Sequence, residues 1–384
     1  MAGHTDLEEV LAATLQYARD RDYVGWDKHD GMSSRVRRVL PDHRWVNLAV
    51  QETIKRSPVN LRPLLLVEQR ANPKGLALFA LANRHAAALT GDRRYDREAR
   101  DLAARLRDAD APGYAGFCVG HAHPVQGLAS ETPAGTPGVV GTSYAVRALL
   151  RLGEVDHEYP DLARSAATFM ATELEPDRTE EGLRLRYKPD DGGGAYTLNA
   201  NALAARAYLD LYEHFGDDSY RDRATAILRY VASRQEPGGG WLYTDPPSAS
   251  HLSMDNYHNG FIVESFLRHA DVADPETFRE TTTRGHSFYR EVLFEDDGAP
   301  NWDEASAFPR DSHAAAQGIV TFVRAGDVDF ARRIADWTVR NLYAGDGRFY
   351  YQRRRFYRKR FTLMRWCQAW LAYALSVLLT AEGD

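Results

Sequence analysis

Lysine is nearly missing from this chain. Only Lys28, Lys55, Lys74, Lys188 and Lys359 occur among 48 basic residues; the other 43 are arginine, a bias that fits a GC-rich or salt-adapted genome. Cysteine is scarcer still. Cys118 and Cys367 stand far apart and match no zinc or redox spacing, so no disulfide framework is expected and a reduced, cytoplasmic setting is. No apolar run reaches the roughly 18 residues of a membrane span, and the acidic start of the chain lacks the charged region and apolar core of an export leader. Excess positive charge is also absent. A formal net charge of −6 argues against a nucleic-acid partner, and the basic runs Arg353-Arg354-Arg355 and Arg358-Lys359-Arg360 read first as a solvated loop. Gly192-Gly193-Gly194 is followed by neither Lys-Ser nor Lys-Thr and is no phosphate loop. His121 and His123, two apart in a Gly- and Pro-containing loop, make a poor metal pair, so neither metal nor cofactor is expected.

What is present is apolar and aromatic. Hydrophobic residues make up 44%, with 20 Tyr, 15 Phe and 7 Trp, enough for a large core. The length of 384 residues exceeds the usual domain, yet a ring of repeated helices can grow as one unit. Leu7, Val10, Leu11 and Leu15 mark an amphipathic helix from Asp6 to Arg19. Residues 20–63 form a mixed stretch with Tyr23, Trp26, Asp27, His29 and Asp30, then a helix from His43 to Arg56, placed as an extension near the mouth of such a ring.

From Asn72 a repeat emerges. An apolar, small-residue-rich helix is followed by a charged one, then by a Gly-aromatic stretch that leads to the next apolar helix. The apolar helices are expected to begin near Asn72, Pro137, Tyr196, Asn256, Asp311 and Phe361, and their partners near Tyr95, Tyr159, Ser219, Pro275 and Val328. A sixth partner is missing at the C-terminus. The Asp6–Arg19 helix can supply it and close the ring. The returns share their composition, as in Gly113-Tyr114-Ala115-Gly116-Phe117, Gly238-Gly239-Gly240-Trp241, Gly298-Ala299-Pro300-Asn301-Trp302 and Gly345-Asp346-Gly347-Arg348-Phe349-Tyr350.

Six hairpins, Gly-aromatic returns and a closing Met364-Arg365-Trp366-Cys367-Gln368-Ala369-Trp370 helix resemble the six-hairpin carbohydrate-active enzymes. The chain is similar to proteins of archaeal and bacterial polysaccharide clusters, and more distantly to the toroid domain of glucuronyl C5-epimerases. The resemblance covers roughly Asn72 to the C-terminus and implies an all-α fold, an (α/α)6 toroid, and an oligosaccharide or polysaccharide partner; with the Asp6–Arg19 helix closing the ring, residues 1–384 are expected to form one domain. It does not choose the reaction, because this fold hosts hydrolases, lyases, epimerases and binding domains.

The densest chemistry lies in Ser253-Met254-Asp255-Asn256-Tyr257-His258-Asn259-Gly260-Phe261, where polar groups open an apolar helix. The free N–H groups and dipole of a helix start suit hydroxyls or a carboxylate. Parallel inner helices bring other such starts to the same end. Asp255, Tyr257, His258 and His313 are the candidates for chemistry. Tyr114, His121, His123, Tyr196, Asn199, Asn256, Trp302, Tyr350, Arg365 and Trp366 are candidates for binding, since rings stack on sugar C–H faces while amides and Arg take hydroxyls. Asp255 has equally the type and place of an N-cap, and His258 that of a bonded core histidine. A buried Arg365 requires a partner, either Asp255 or a substrate carboxylate.

Three readings of the chemistry compete. Glycoside hydrolysis needs two carboxyl groups flanking the bond, with Glu131, Asp191 or Asp311 joining Asp255. Uronate epimerisation or β-elimination needs Tyr or His as acid and base with Arg or Asn on the carboxylate, which this residue set matches better. Glycan or partner binding without turnover is the third.

Overall fold

The computed structural model describes residues 6–128, 130–153 and 157–383. Helix α1 (Leu7–Arg19) is capped by Asp6, which accepts the Glu8 N–H, and α2 (Arg44–Arg56) ends the mixed stretch beyond it. Hairpins then succeed one another: α3 (Pro73–Thr90) with α4 (Arg93–Arg107), α5 (Val139–Arg151) with α6 (Glu158–Thr172), and α7 (Leu198–Phe215) with α8 (Asp218–Ser233). Next come α9 (Asn256–Val272) with α10 (Arg279–Glu291), α11 (Ser312–Arg324) with α12 (Val328–Leu342), and α13 (Trp370–Gly383). The inner helices start within a few residues of the expected places, except at the last. There, residues 361–363 precede a six-residue turn, Met364–Ala369, wound wider than an α-helix, with the Gln368 N–H reaching back five residues to the Leu363 carbonyl. The helix expected near Pro275 begins four residues later, because Asp274 accepts the Glu276 N–H and holds a turn first.

The inner helices α3, α5, α7, α9, α11 and α13 pack in sequence and α13 returns to α3, closing a ring. Each packs against its own outer helix, and α1 takes the outer place beside α13. Composition explains which helices are inside. Helix α7 is buried on every side and built on Ala200, Ala202, Ala204, Ala205 and Ala207, whereas α4 buries one stripe, Tyr95, Ala99, Leu102, Ala103 and Leu106. Gly260 permits a close approach. A Cβ there would stand 2.4 Å from the Tyr289 hydroxyl and 2.6 Å from Gln317 Cγ. The fold is thus all-α, an (α/α)6 toroid.

Short antiparallel ladders stitch the loops: β1 (Val125–Gln126) to β2 (Glu131–Thr132), β3 (Asp177–Thr179) to β4 (Gly182–Arg184), β5 (Tyr196–Thr197) to β6 (Thr244–Asp245), and β7 (Arg310–Asp311) to β8 (Gln352–Arg353) to β9 (Arg358–Lys359). Amides at the inner-helix starts hold the returns more firmly. Asn201 bonds both the N–H (2.7 Å) and the carbonyl (3.1 Å) of Leu185, and Asn259 does the same to Trp241 (2.8 and 3.0 Å). Gln368 takes the Phe349 N–H and gives to the Gly347 carbonyl.

Deeper in the ring lies a buried ionic layer. Arg147, Arg206 and Glu264 are each the ninth residue of their helices, α5, α7 and α9, about 12 Å below the helix starts at 1.5 Å per residue. Glu264 accepts from Arg206, Arg147 and Gln317 of α11, while Arg147 also donates to the Tyr373 hydroxyl of α13 (3.0 Å). Asp210 accepts from Arg268 (2.9 Å). Burial works against the charge of both carboxyls, but the surrounding arginines overcome it and hold each at about 2. No described helix is long and apolar enough to cross a membrane.

Candidate active site

The N-terminal ends of the inner helices open on a cavity of about 770 Å³. Asp255, Tyr257, His258, His313, His121, Asn199, Trp302, Arg365 and Trp366 all border it. Five other candidates lie away from its wall. Tyr114 stands edge-on to Phe169 at 6.2 Å, and Tyr196 lies between the Arg184 and Arg186 guanidiniums with its hydroxyl on Asp177. His123 pairs with Ser33 Oγ (2.8 Å). Asn256 gives its amide to the Leu293 carbonyl (2.6 Å), and Tyr350 has its backbone N–H on the Leu342 carbonyl within the last return.

At the start of α9 one carboxylate does two jobs. Asp255 Oδ1 accepts the His258 N–H (3.2 Å) and so caps the helix, while Oδ2 stands 2.6 Å from His258 Nδ1. Capping and ring positioning coexist. With Nδ1–H given to the carboxylate, Nε2 is the nitrogen left for the cavity. Tyr257 lies between two imidazoles, 4.1 Å from the His258 ring and stacked at 4.6 Å on His313. Burial, reinforced by Asp255, pushes its phenol well up, so it stays a hydrogen-bond donor.

His313 is held by Asp311, whose Oδ1 accepts its backbone N–H (2.8 Å), and boxed by Trp366 (4.4 Å) and Trp370 (4.3 Å). It is 1% exposed, and neither ring nitrogen has a partner among the described residues. Burial first, then the neighbouring basic groups Lys74, Arg365 and Lys28, push its imidazole well below the ordinary value. Other lining groups lack a hydrogen-bond partner too: Asn72 Nδ2, Asn199 Oδ1, Gln352 Oε1 and His121 Nε2, the last standing 3.8 Å from Asp27 Oδ2. Buried polar atoms left without partners cost about 1–3 kcal/mol each. A ligand rich in hydroxyls would satisfy several at once.

Arg365 does not meet Asp255. Its partner is Asp27 of the extension, at 2.6 Å from Nε with a second, shorter contact. Burial opposes ionisation of Asp27, and Arg365, with His121 and His123 nearby, holds its carboxyl far below the usual range. The extension thus forms part of the cavity, adding Lys28, His29, Lys55 and Arg56 to its wall. Of the proposed second carboxylates, Asp311 is spent on Trp366 Nε1 (2.8 Å) and Gln352 Nε2 (2.6 Å). Glu131 is exposed on β2, and neither it nor Asp191 borders the cavity. Asp303, which accepts from Ser253 Oγ (2.8 Å), does. Among the described residues, no three His, Cys, Asp or Glu side chains are grouped to hold a metal ion.

The residues missed from sequence are chiefly lysines. Lys28 lies 3.7 Å over the Trp366 ring, and its ammonium is pulled down to about 8 by burial, against the attraction of Asp311 and Asp255. Lys74, in the first turn of α3, lies 4.7 Å from the Tyr144 ring, 4.8 Å from Trp370 and 5.1 Å from Phe261. Ring faces favour its ammonium by about 0.5–2 kcal/mol; burial without a hydrogen-bonded counter-ion costs several. Burial wins, and the amine sits well below its ordinary value. The available signal was scarcity: four of the five lysines line this one cavity.

No protein-family model and no curated protein matches the sequence. Solved structures do match. A cellobiose 2-epimerase from Bacillus thermoamylovorans is 14% identical over 82% of this chain and 88% of its own, with a TM-score of 0.62. An unsaturated glucuronyl hydrolase specific for heparin is 13% identical over 98% and 97%, at 0.63. The GH76 α-mannanase of Bacteroides thetaiotaomicron is 15% identical over 81% and 87%, at 0.61. This chain has the six-hairpin (α/α)6 fold that these carbohydrate-active enzymes share.

Proposed function

We propose that the chain is a carbohydrate-active enzyme that moves a proton at a carbon beside a carbonyl or carboxylate of an acidic sugar, in the manner of an epimerase or lyase. The observation that carries this is the Asp255–His258 pair bordering a cavity that is also lined by a neutral, buried His313 without a hydrogen-bond partner among the described residues. His258 Nε2 takes the proton, and Asp255 holds the imidazolium that results. The electron pair left on carbon passes to the neighbouring oxygen. A neutral imidazole is a suitable donor to that oxygen, and His313 fills this role, with Lys28 and the Tyr257 phenol adding to the stabilisation.

The wall supports an acidic substrate. Seven basic residues border the cavity against two acidic ones, Asp255 and Asp303; Asp27 takes Arg365 and Glu52 takes Lys55 and Arg56, which leaves Lys28, Lys74, Lys188 and Arg354 with no carboxylate partner among the described residues, in a chain that is negative as a whole. An epimerase and a glucuronyl hydrolase among the structural neighbours are in keeping with sugar inversion and with uronate recognition on this fold. The test is incubation of reducing and internal uronate oligosaccharides in D2O, read by NMR and mass spectrometry. Carbon-bound deuterium, reduced about 10²–10⁴-fold in His258→Ala, is expected. Chain shortening without carbon-bound deuterium would instead assign hydrolysis.

A further inference from the structure

We propose that Lys74 is an imine-forming residue: its amine condenses with the open-chain aldehyde of a reducing acidic sugar, and the resulting iminium acidifies the adjacent C–H that His258 removes. This rests on the proton-transfer assignment and adds the group that activates the carbon.

The position of Lys74 sets it apart. It is 7% exposed, borders the cavity, and its Nζ makes no hydrogen bond among the described residues, unlike Lys188, which donates to Thr132 Oγ1 (2.6 Å), and Lys55, which donates to Glu52 (3.0 Å). Its surroundings are three rings, Tyr144, Phe261 and Trp370, of which Trp370 and Phe261 also pack on His313. The amine and the unpartnered imidazole therefore share one aromatic floor. The charged groups facing it are Arg365, Asp27 and, beyond Tyr144, Arg147. Asp27 is already bound in two contacts by Arg365, so the nearest carboxylate is not free to hold an ammonium.

Residue choice points the same way. Arginine supplies 43 of the 48 basic residues, yet the cation places on this wall are mostly lysine. A guanidinium serves wherever a permanent charge is wanted, but it does not lose its proton and forms no imine. A desolvated lysine does both.

The step balances. The neutral Nζ attacks the aldehyde carbon, and one of its protons passes to the carbonyl oxygen, by way of solvent, to give a neutral carbinolamine. A further proton from solvent lets that oxygen leave as water, forming a C=N⁺ bond. The three ring faces that surround Nζ stabilise the new cation. Removal of the α-proton by His258 gives an enamine. Reprotonation on either face and attack of water on the iminium release the sugar and the free amine.

The experiment uses the full chain with D-glucuronate, a reducing glucuronate disaccharide and the non-reducing methyl glucuronide, each with sodium cyanoborohydride. Intact mass and peptide mapping are expected to show one sugar per chain on the Lys74 peptide, from the two reducing sugars only, and none in Lys74→Arg. No adduct, or one spread over several lysines, would overturn the proposal. The amine is probed separately by formaldehyde and cyanoborohydride across pH. Methylation of Lys74 near pH 6.5, ahead of Lys188, is expected; reaction only above pH 10 would overturn it. Deuterium at carbon without an adduct sinks the imine and leaves proton transfer standing, whereas an adduct without deuterium does the reverse.

Discussion

Asp255 caps α9 with one carboxylate oxygen and meets His258 Nδ1 with the other, and the cap can be separated from the proposed chemistry at the scale of one atom. Asn is as good an N-cap as Asp, but it cannot hold an imidazolium. Asp255→Asn is therefore expected to move the unfolding midpoint little while lowering kcat at least about 10²-fold. An equal loss of both would reduce Asp255 to a cap. Lys28 titrates at about 8, so its charge is present below that pH and lost above it. KM for an acidic sugar should rise as pH passes through about 8, and Lys28→Met should flatten that limb. Sequence made Asp255, His258 and His313 legible because polar residues opening an apolar helix have few places to go. Lys28 and Lys74 were not, since nothing local marks a lysine as desolvated; neighbours from distant helices do that.

At the scale of elements, the hairpins were readable because inner and outer helices differ in composition, Ala-rich and buried all round against Arg- and Asp-rich with one apolar stripe. The roles of amides were harder to read. Asn and Gln suit sugar hydroxyls and backbone groups equally well, and Asn201, Asn259 and Gln368 turn out to clamp returns. Asn259→Ala leaves both backbone groups of buried Trp241 without their amide partner. It should cost about 2–4 kcal/mol, measured by denaturant unfolding with an unchanged slope. Gly260→Ala should lose about 1–3 kcal/mol by overpacking against Tyr289 and Gln317. The wide turn at Met364–Ala369 carried no sequence signal, because its register is set by packing and not by residue type.

Over the whole molecule, ring closure by α1 is a matter of counting, six inner helices against five outer ones. The ionic layer was invisible beforehand, as its members lie dozens of residues apart. Its pH dependence has a definite sign. Glu264 and Asp210 have ordinary values of 4.5 and 3.8 and stand at about 2 in the fold. Their contribution is complete above about pH 4.5 and is lost as pH falls towards 2. Thermal unfolding from pH 6 to pH 2 should show that decline, and Glu264→Gln should shrink it.

The same layer gives the barrel a floor. With Arg147, Arg206 and Glu264 tied across the ring beneath Tyr144, Phe261 and Trp370, the funnel is a dead end. A polymer has no second door through which to thread. Whatever enters at the inner-helix starts has to leave by the same opening, so arriving and departing ligands share a single doorway.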